Sequence, residues 1–162
     1  MKIDTEERYI DVVERYSDMI IRVAYNSLLS LPDAEDAAQE VFIKLLQNGS
    51  REFSDDEHLK AWLIRVTVNQ CRNMKNSLLR RDELPLEDYD APVGYDRGEY
   101  EDLAAELAEL PPDDRNVLYL YYYEGYNIRE LSEILGMKQN TANSRLTRAR
   151  TKLKKYLEEE DR

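Results

Sequence analysis

NIRELSEILGMKQNTANSRLTRARTKLKK, residues 127–155, decides how this chain is to be read. Leu131, Ile134 and Leu135 recur at helical spacing, Gly136 interrupts them, and a second helix is expected from about Asn140. Residues 138–155 hold seven Lys/Arg and no Asp/Glu. A packed first helix, a Gly-containing turn and a second helix rich in Arg, Asn, Ser and Thr form the arrangement that major-groove reading of DNA requires. On this second helix Leu146, Ala149 and Leu153 face a core. Thr141, Ser144, Arg145, Arg148 and Lys152 lie opposite. The plain alternative is a solvated basic helix that ends a bundle.

A net charge of −11 at first argues against a nucleic-acid binder. Its distribution reverses that. Residues 82–114 carry thirteen acids and one base, Arg97, so the remainder of the chain sums to about +1. A second acid-free stretch, residues 58–81, contains Lys60, Arg65, Arg72, Lys75, Arg80 and Arg81. Two basic stretches thus flank an acidic middle, and the local field governs contact with phosphates.

Outward from the decisive stretch, helical periodicity covers most of the chain and no strand alternation or internal repeat appears. Residues 8–31 place Ile10, Val13, Met19, Ile20, Val23, Ala24, Tyr25 and Leu28 at helical spacing, readable as two helices joined near Ser17. Leu31-Pro32-Asp33 marks a break, with Asp33 as the expected N-cap of a helix over 34–47 that sets Ala34, Ala38, Val41 and Leu45 on one face. Asn48-Gly49-Ser50 ends that helix. Ser54 and Glu57 have capping-box spacing for the next, residues 58–79, which has Leu59, Trp62, Leu63, Val66 and Met74 as its expected buried side. Residues 82–99, with two prolines, two glycines and many acids, read as a flexible linker. Fully extended it would reach roughly 60 Å at about 3.3–3.6 Å per residue. Helical pattern resumes over 100–110, pauses at Pro111-Pro112 and continues over 115–123. Gly125 ends that helix, and Asn127 and Glu130 form a capping-box start to the helix-turn-helix. The Tyr119–Tyr123 run (YLYYY) reads as core and rim of the second unit rather than a stacking platform.

The fold class expected is therefore all-α: two small helical domains, residues 1–81 and 100–162, joined by a flexible acidic linker over 82–99. No run of about 18 apolar residues occurs, so no membrane span is expected. The acidic start MKIDTEERY lacks the apolar segment of a signal peptide. A single cysteine, Cys71, excludes an internal disulfide, and the lone His58 leaves no Cys/His cluster for zinc. Without a Gly-rich phosphate loop or a nucleophile–base pair there is no catalytic constellation, so neither enzyme activity nor a cofactor is expected. A cytoplasmic location fits.

Two further surfaces stand out. On residues 58–79, Arg65, Asn69, Arg72, Asn73, Asn76 and Arg80 fall at steps of three and four, making one polar, cationic face suited to following a nucleic-acid strand. Trp62 reads first as a packing anchor. The polar loop 50–58 before it could hold an extruded base. On DAEDAAQEVFIKLL, residues 33–46, the side away from the Ala/Val face carries Asp36, Gln39, Glu40 and Ile43, an acidic and apolar stripe that suits a basic helical partner.

The order of these parts resembles the extracytoplasmic-function (ECF) subfamily of the bacterial sigma-70 family. DAEDAAQEVFIKLL is similar to region 2.2, which implies that Asp36, Gln39, Glu40 and Ile43 bind core RNA polymerase, whose β′ and β subunits are the implied partners. HLKAWLIRVTVNQCRNMKNSLLRR, residues 58–81, resembles regions 2.3 and 2.4. That implies contact with the non-template strand of the promoter −10 element by Trp62, Arg65, Asn69, Arg72, Asn73 and Arg80. LPPDDRNVLYLYYYEGYNIRELSEILGMKQNTANSRLTRARTKLKKYL, residues 110–157, resembles region 4. There the implied contacts with the −35 duplex are Lys138, Gln139, Asn140, Thr141, Asn143, Ser144, Arg145 and Arg148. Ala142 and Asn143 stand where the family commonly has Val followed by Lys or Arg, which implies one fewer phosphate or base contact. An anti-sigma factor, often membrane-anchored in the family, is a further partner the resemblance allows; direct insertion of this chain in a membrane is not implied. The rival from another class is a stand-alone helix-turn-helix regulator that binds duplex DNA without polymerase, against which the Asp36/Gln39/Glu40 stripe speaks.

Overall fold

The computed structural model describes residues 1–80 and 101–160. Among them are seven α-helices and no strand. The chain divides into two compact units, Met1–Asp90 and Ala91–Arg162. The acidic linker expected over 82–99 lies outside the described residues.

The first unit packs three helices, α1 (Glu6–Leu28), α2 (Leu31–Gln47) and α3 (Asp56–Arg80), each against the other two. Thr5 caps α1 by accepting from Arg8 N–H at 3.3 Å, and Glu6 and Glu7 sit in its first turn, where the helix dipole favours acids. α1 is one continuous helix rather than two: the Ser17 hydroxyl donates to the Val13 carbonyl one turn back, so the hydroxyl is satisfied without a break. α1 ends where Leu29 adopts a left-handed conformation (φ 55°) and donates to Tyr25 O at 2.7 Å. The N-cap of α2 is Ser30, not Asp33: Ser30 Oγ accepts from Asp33 N–H at 3.3 Å, and Leu31 and Pro32 form the first turn. Proline ahead of a helix marks its first turn as readily as its boundary, because the amide it lacks would have had no partner there.

Ile20, Val23, Val41, Leu45, Leu59, Leu63, Ile64 and Val68 fill this core. At one end Ala24, Ala34 and Ala37 surround Cys71, with Met74 against them; side chains this small let three helices approach closely. Burial pushes the Cys71 thiol up to about 12. The buried side of α3 is Leu59, Leu63, Ile64, Thr67, Val68 and Cys71, whereas Trp62, Val66 and Met74 are half-buried. Its cap also differs from expectation by one residue. Asp55 Oδ1 accepts from His58 N–H at 2.8 Å, so Asp55 supplies the capping side chain, and the His58 ring accepts in return from Ser54 N–H at 3.0 Å, in place of the expected pair of Ser54 with Glu57.

In the second unit α5 (Pro112–Tyr122), α6 (Ile128–Leu135) and α7 (Gln139–Glu160) pack on one another, and α4 (Glu101–Glu109) packs on α7. Arg115, almost fully buried, donates through Nη1 to Leu110 O at 2.6 Å, completing a carbonyl that the end of α4 leaves open. Gly125 (φ 78°) turns the chain after α5, with Tyr126 N–H bonded to Leu120 O at 3.0 Å. Asn127 and Glu130 form the expected capping box at 2.8 and 3.1 Å. Gly136 (φ 66°) makes the turn into α7. Leu131 and Leu135 of α6 and Ala142, Leu146, Ala149 and Leu153 of α7 are buried, which presents α7 as the outer helix of a helix-turn-helix. Tyr119 is buried while Tyr122 and Tyr123 are exposed, so the tyrosine run is core and rim. No described helix is long and apolar enough to cross a membrane.

Replacing Asn127 with Ala removes the side-chain half of the capping box, the bond accepted from Glu130 N–H, and should destabilise the second unit by about 1 kcal/mol, whereas Asn127→Asp should cost only a few tenths. Thermal unfolding of the two variants beside the parent checks the difference.

Candidate nucleic-acid interface

Three helix faces carry the candidate site residues. On α2, Asp36, Gln39, Glu40 and Ile43 are all exposed, Ile43 to 44%. The sequence reading missed Leu46, which is 58% exposed one turn further along the same stripe. Its spacing from Ile43 was the available signal. Lys44 is not part of this face: its ammonium donates to Gln70 of α3 at 2.6 Å.

On α3, Arg65, Asn69, Asn73 and Asn76 are exposed and Arg72 is half-buried, so the stripe forms a single continuous face. Arg72 Nη1 lies 3.5 Å from Asn69 Oδ1, a long contact that aligns the two side chains. Arg80 falls in the last turn of α3, and its side chain lies outside the described residues. The loop ahead of α3 does not hold a free aromatic. Phe53 is fully buried, meets Trp62 edge-on at 5.6 Å and His58 at 5.3 Å, and its N–H donates to Met1 O at 2.8 Å. Half-buried Trp62 is covered by Arg51, whose guanidinium lies 5.7 Å from the indole and 5.9 Å from the Phe53 ring. The sequence reading did not single out Arg51, since nothing in the spacing of a loop residue shows that it stacks on a helix residue eleven positions on.

On α7, Lys138, Gln139, Asn140, Thr141, Asn143 and Ser144 are exposed. Asn140, Asn143, Ser144, Thr147 and Arg148 line an open groove of about 460 Å³. The two arginines of the candidate set are not presented alike. Arg145 is half-buried; its Nη1 donates to Asp114 Oδ1 at 3.0 Å, and its Nη2 lies 3.8 Å from Asp113 Oδ2. Arg148 keeps 60% exposure but clasps the same carboxylate, Nε to Oδ2 at 2.8 Å and Nη2 to Oδ1 at 3.0 Å. Asp114 itself is completely buried. Burial pushes its pKa up, but the hydrogen bonds and charges of Arg148 and Arg145 outweigh burial and hold the carboxyl below the usual range. Arg150 and Lys152 are also held within the unit. Arg150 Nε donates to Tyr122 OH at 2.6 Å with its guanidinium over the Tyr121 ring, and Lys152 reaches Glu109.

Comparison with known proteins follows the same division. The family model for Sigma-70 region 2 matches residues 12–81, and that for Sigma-70, region 4 matches residues 100–153. The ECF RNA polymerase sigma factor SigE of Mycolicibacterium smegmatis is 32% identical over 91% of this chain, which spans 60% of that relative's length. The ECF RNA polymerase sigma factor EcfG of Rhodopseudomonas palustris is 31% identical over 76% of this chain and 71% of its own. Among solved structures, the Bartonella quintana sigma factor RpoE, crystallised with the anti-sigma factor NepR, superposes with a TM-score of 0.74 over 94% of this chain and 98% of that one at 23% identity.

Asp114 gives the second unit a signed dependence on pH. Its folded pKa is depressed, so its stabilisation is complete above the unfolded carboxylate value of about 3.9 and is lost as pH falls through the lower folded value. The α5 and α7 amide resonances should report acid unfolding in that window, with a flatter acid limb in Asp114→Asn. Asp114→Ala should cost roughly 2–3 kcal/mol at neutral pH, less than for a fully enclosed pair because Arg148 reaches water.

Proposed function

Because the chain belongs to the sigma-70 family of RNA polymerase sigma factors, in its extracytoplasmic-function subfamily, we propose that it binds core polymerase through α2, captures the non-template strand of the −10 element along α3 and reads the −35 duplex with α7. Carrying this reading is the exposed face of α2: Ile43 and Leu46 stand in water beside Asp36, Gln39 and Glu40, a combination that suits a basic helical partner. The β′ coiled coil of polymerase is that partner, with further contact to the β subunit. A stand-alone helix-turn-helix regulator would need neither this face nor a region 2 unit, and that reading is not favoured.

Initiation asks for no covalent chemistry from these residues. Unstacking a promoter base costs a few kcal/mol, offset by capture of the base and by phosphate contacts along the α3 stripe. Arg65 and Asn69 contact the strand directly, Arg72, Asn73 and Arg80 hold its backbone, and Trp62 with Arg51 closes the N-terminal end of the stripe. Upstream, Lys138 and Arg148 hold phosphates, and Gln139, Asn140, Thr141, Asn143, Ser144 and Arg145 lie at or near base edges. Promoter elements about 16–17 base pairs apart span roughly 55 Å at about 3.4 Å per pair, so polymerase sets their spacing. The factor acts in the cytoplasm on the nucleoid, and an anti-sigma factor, as in the B. quintana complex, is the expected inhibitor.

In vitro transcription with core polymerase and a genomic promoter library tests the whole reading, and absence of any specific start site refutes it. Within it, Asn69→Ala should reduce open-complex formation by about tenfold while leaving core binding unchanged; equal losses in both assays would show that α3 is not the strand-capturing element. Leu46→Ala together with Ile43→Ala should instead weaken core binding by roughly tenfold or more, as competition against the parent factor would measure.

A further inference from the structure

At the N-terminal end of the α3 stripe three planar groups meet at one corner. The Phe53 and Trp62 ring centroids lie 5.6 Å apart with their planes at 69°, and the Arg51 guanidinium sits 5.9 Å from the first and 5.7 Å from the second. These distances make a nearly equilateral triangle, so the cation reaches both rings and stacks closely on neither. Both contacts lie near the outer limit of about 6 Å at which a ring still attracts a cation. Among the described residues the guanidinium has no hydrogen-bond or ion-pair partner; only the Arg51 backbone is fixed, its N–H donating to Asn48 O at 2.9 Å.

The wall behind this cation is anchored independently of it. Phe53 is fully buried, its N–H donates to Met1 O at 2.8 Å, and the His58 ring meets it edge-on at 5.3 Å. Half-buried Trp62 lies on α3 three residues before Arg65 and seven before Asn69, so its ring continues the polar, cationic stripe. An aromatic corner at the head of such a stripe, covered by one unpaired cation, has the chemistry of a base-stacking subsite. A nucleobase stacks on an aromatic ring more strongly than an exposed arginine at this distance is held by one.

We propose that the corner is a stacking subsite for one unpaired nucleobase and that Arg51 is its displaceable cover: the base takes the indole of Trp62, and the released guanidinium pairs with that nucleotide's phosphate. This rests on α3 being the strand-capturing helix and adds where one base goes and what leaves to admit it. The cation is compensated at both ends of the exchange, by the ring faces in the free factor and by a phosphate in the complex. Only the Arg51 side chain has to rotate, since the backbone bonds to Asn48 and Met1 stay as they are.

Trp62 is the only tryptophan in the chain, so its emission reports on the subsite alone. The full chain, produced with 5-hydroxytryptophan and assembled with unlabelled core polymerase, can be excited beyond the absorption of ordinary tryptophan. The probe is a fork DNA whose single-stranded non-template segment carries the −10 element that the parent factor selects from the promoter library. Binding should quench the emission roughly twofold. Replacing the −10 nucleotides one at a time by abasic ones, which needs no change to the protein, should relieve the quenching at a single position. Arg51→Ala removes an exposed side chain and should keep the quenching. It should make the indole of the free factor about twice as accessible to acrylamide, and flatten the slope of log affinity against log salt by about 0.7, the share of one phosphate on a single strand.

Emission that does not change when the fork binds overturns the inference, as does quenching that no single abasic nucleotide relieves. So does an Arg51→Ala factor with the parent's salt slope, because a merely structural cover leaves that slope alone. In each of these the sigma-factor reading stands. If the parent factor selects no promoter from the library, that reading falls, and this inference with it.

Discussion

One buried carboxylate organises the C-terminal unit. Asp114 sits in the first turn of α5, where the helix dipole favours an acid, but it points inward and finds its cations on α7. Its neighbour Arg115 does the complementary job, turning a cation onto an open carbonyl at the end of α4. Two adjacent residues of opposite charge thus tie α5 to two other helices. Apolar contact between short helices fixes that they pack; directional charged bonds fix the rotation at which they do so. The rotation of α7 decides which of its side chains meet a groove, so its outward set depends on a residue that never leaves the interior.

The N-terminal unit solves the same problem with a dry core, its charged ties between helices, Lys44 to Gln70 and Arg15 to Asp56, lying outside that core. Alanines on α1 and α2 bring the backbones close around Cys71, and branched residues fill the rest. Once those inward positions are fixed, the helical period fixes the outward ones. The acidic-apolar stripe of α2 and the Arg/Asn stripe of α3 are what remains. Both candidate faces are by-products of core packing, held on helices rather than on loops.

Much of this was legible in the sequence because it is periodic or local. The Leu131, Ile134 and Leu135 spacing, the left-handed glycine at 136 and the Asn127/Glu130 box each depend on residues within a turn or two of one another, and each appears as expected. Caps were legible as a kind but not to the residue. Ser30 displaced Asp33, and Asp55 displaced Ser54, because several cap-competent side chains stood in a row and tertiary geometry chose among them. Long-range pairing was not legible at all. Asp113 and Asp114 looked like two more acids in an acidic segment, and nothing local shows that Asp114 lies against residues thirty-one and thirty-four positions away. For the same reason nothing in the polar loop 50–58 showed that its one aromatic, Phe53, is sealed beneath Arg51 and beside Trp62.

The alanine-lined recess around Cys71 has a practical corollary. Its sulfur carries the only thiol in the chain, enclosed and held well above the range in which thiolates form. Maleimide dyes and spin labels attack the anion, so the native sulfhydryl should stay silent in the folded factor. A cysteine introduced on any outward stripe then becomes a unique attachment point with no background to remove. Distances between the two helical units become measurable by placing one probe on each.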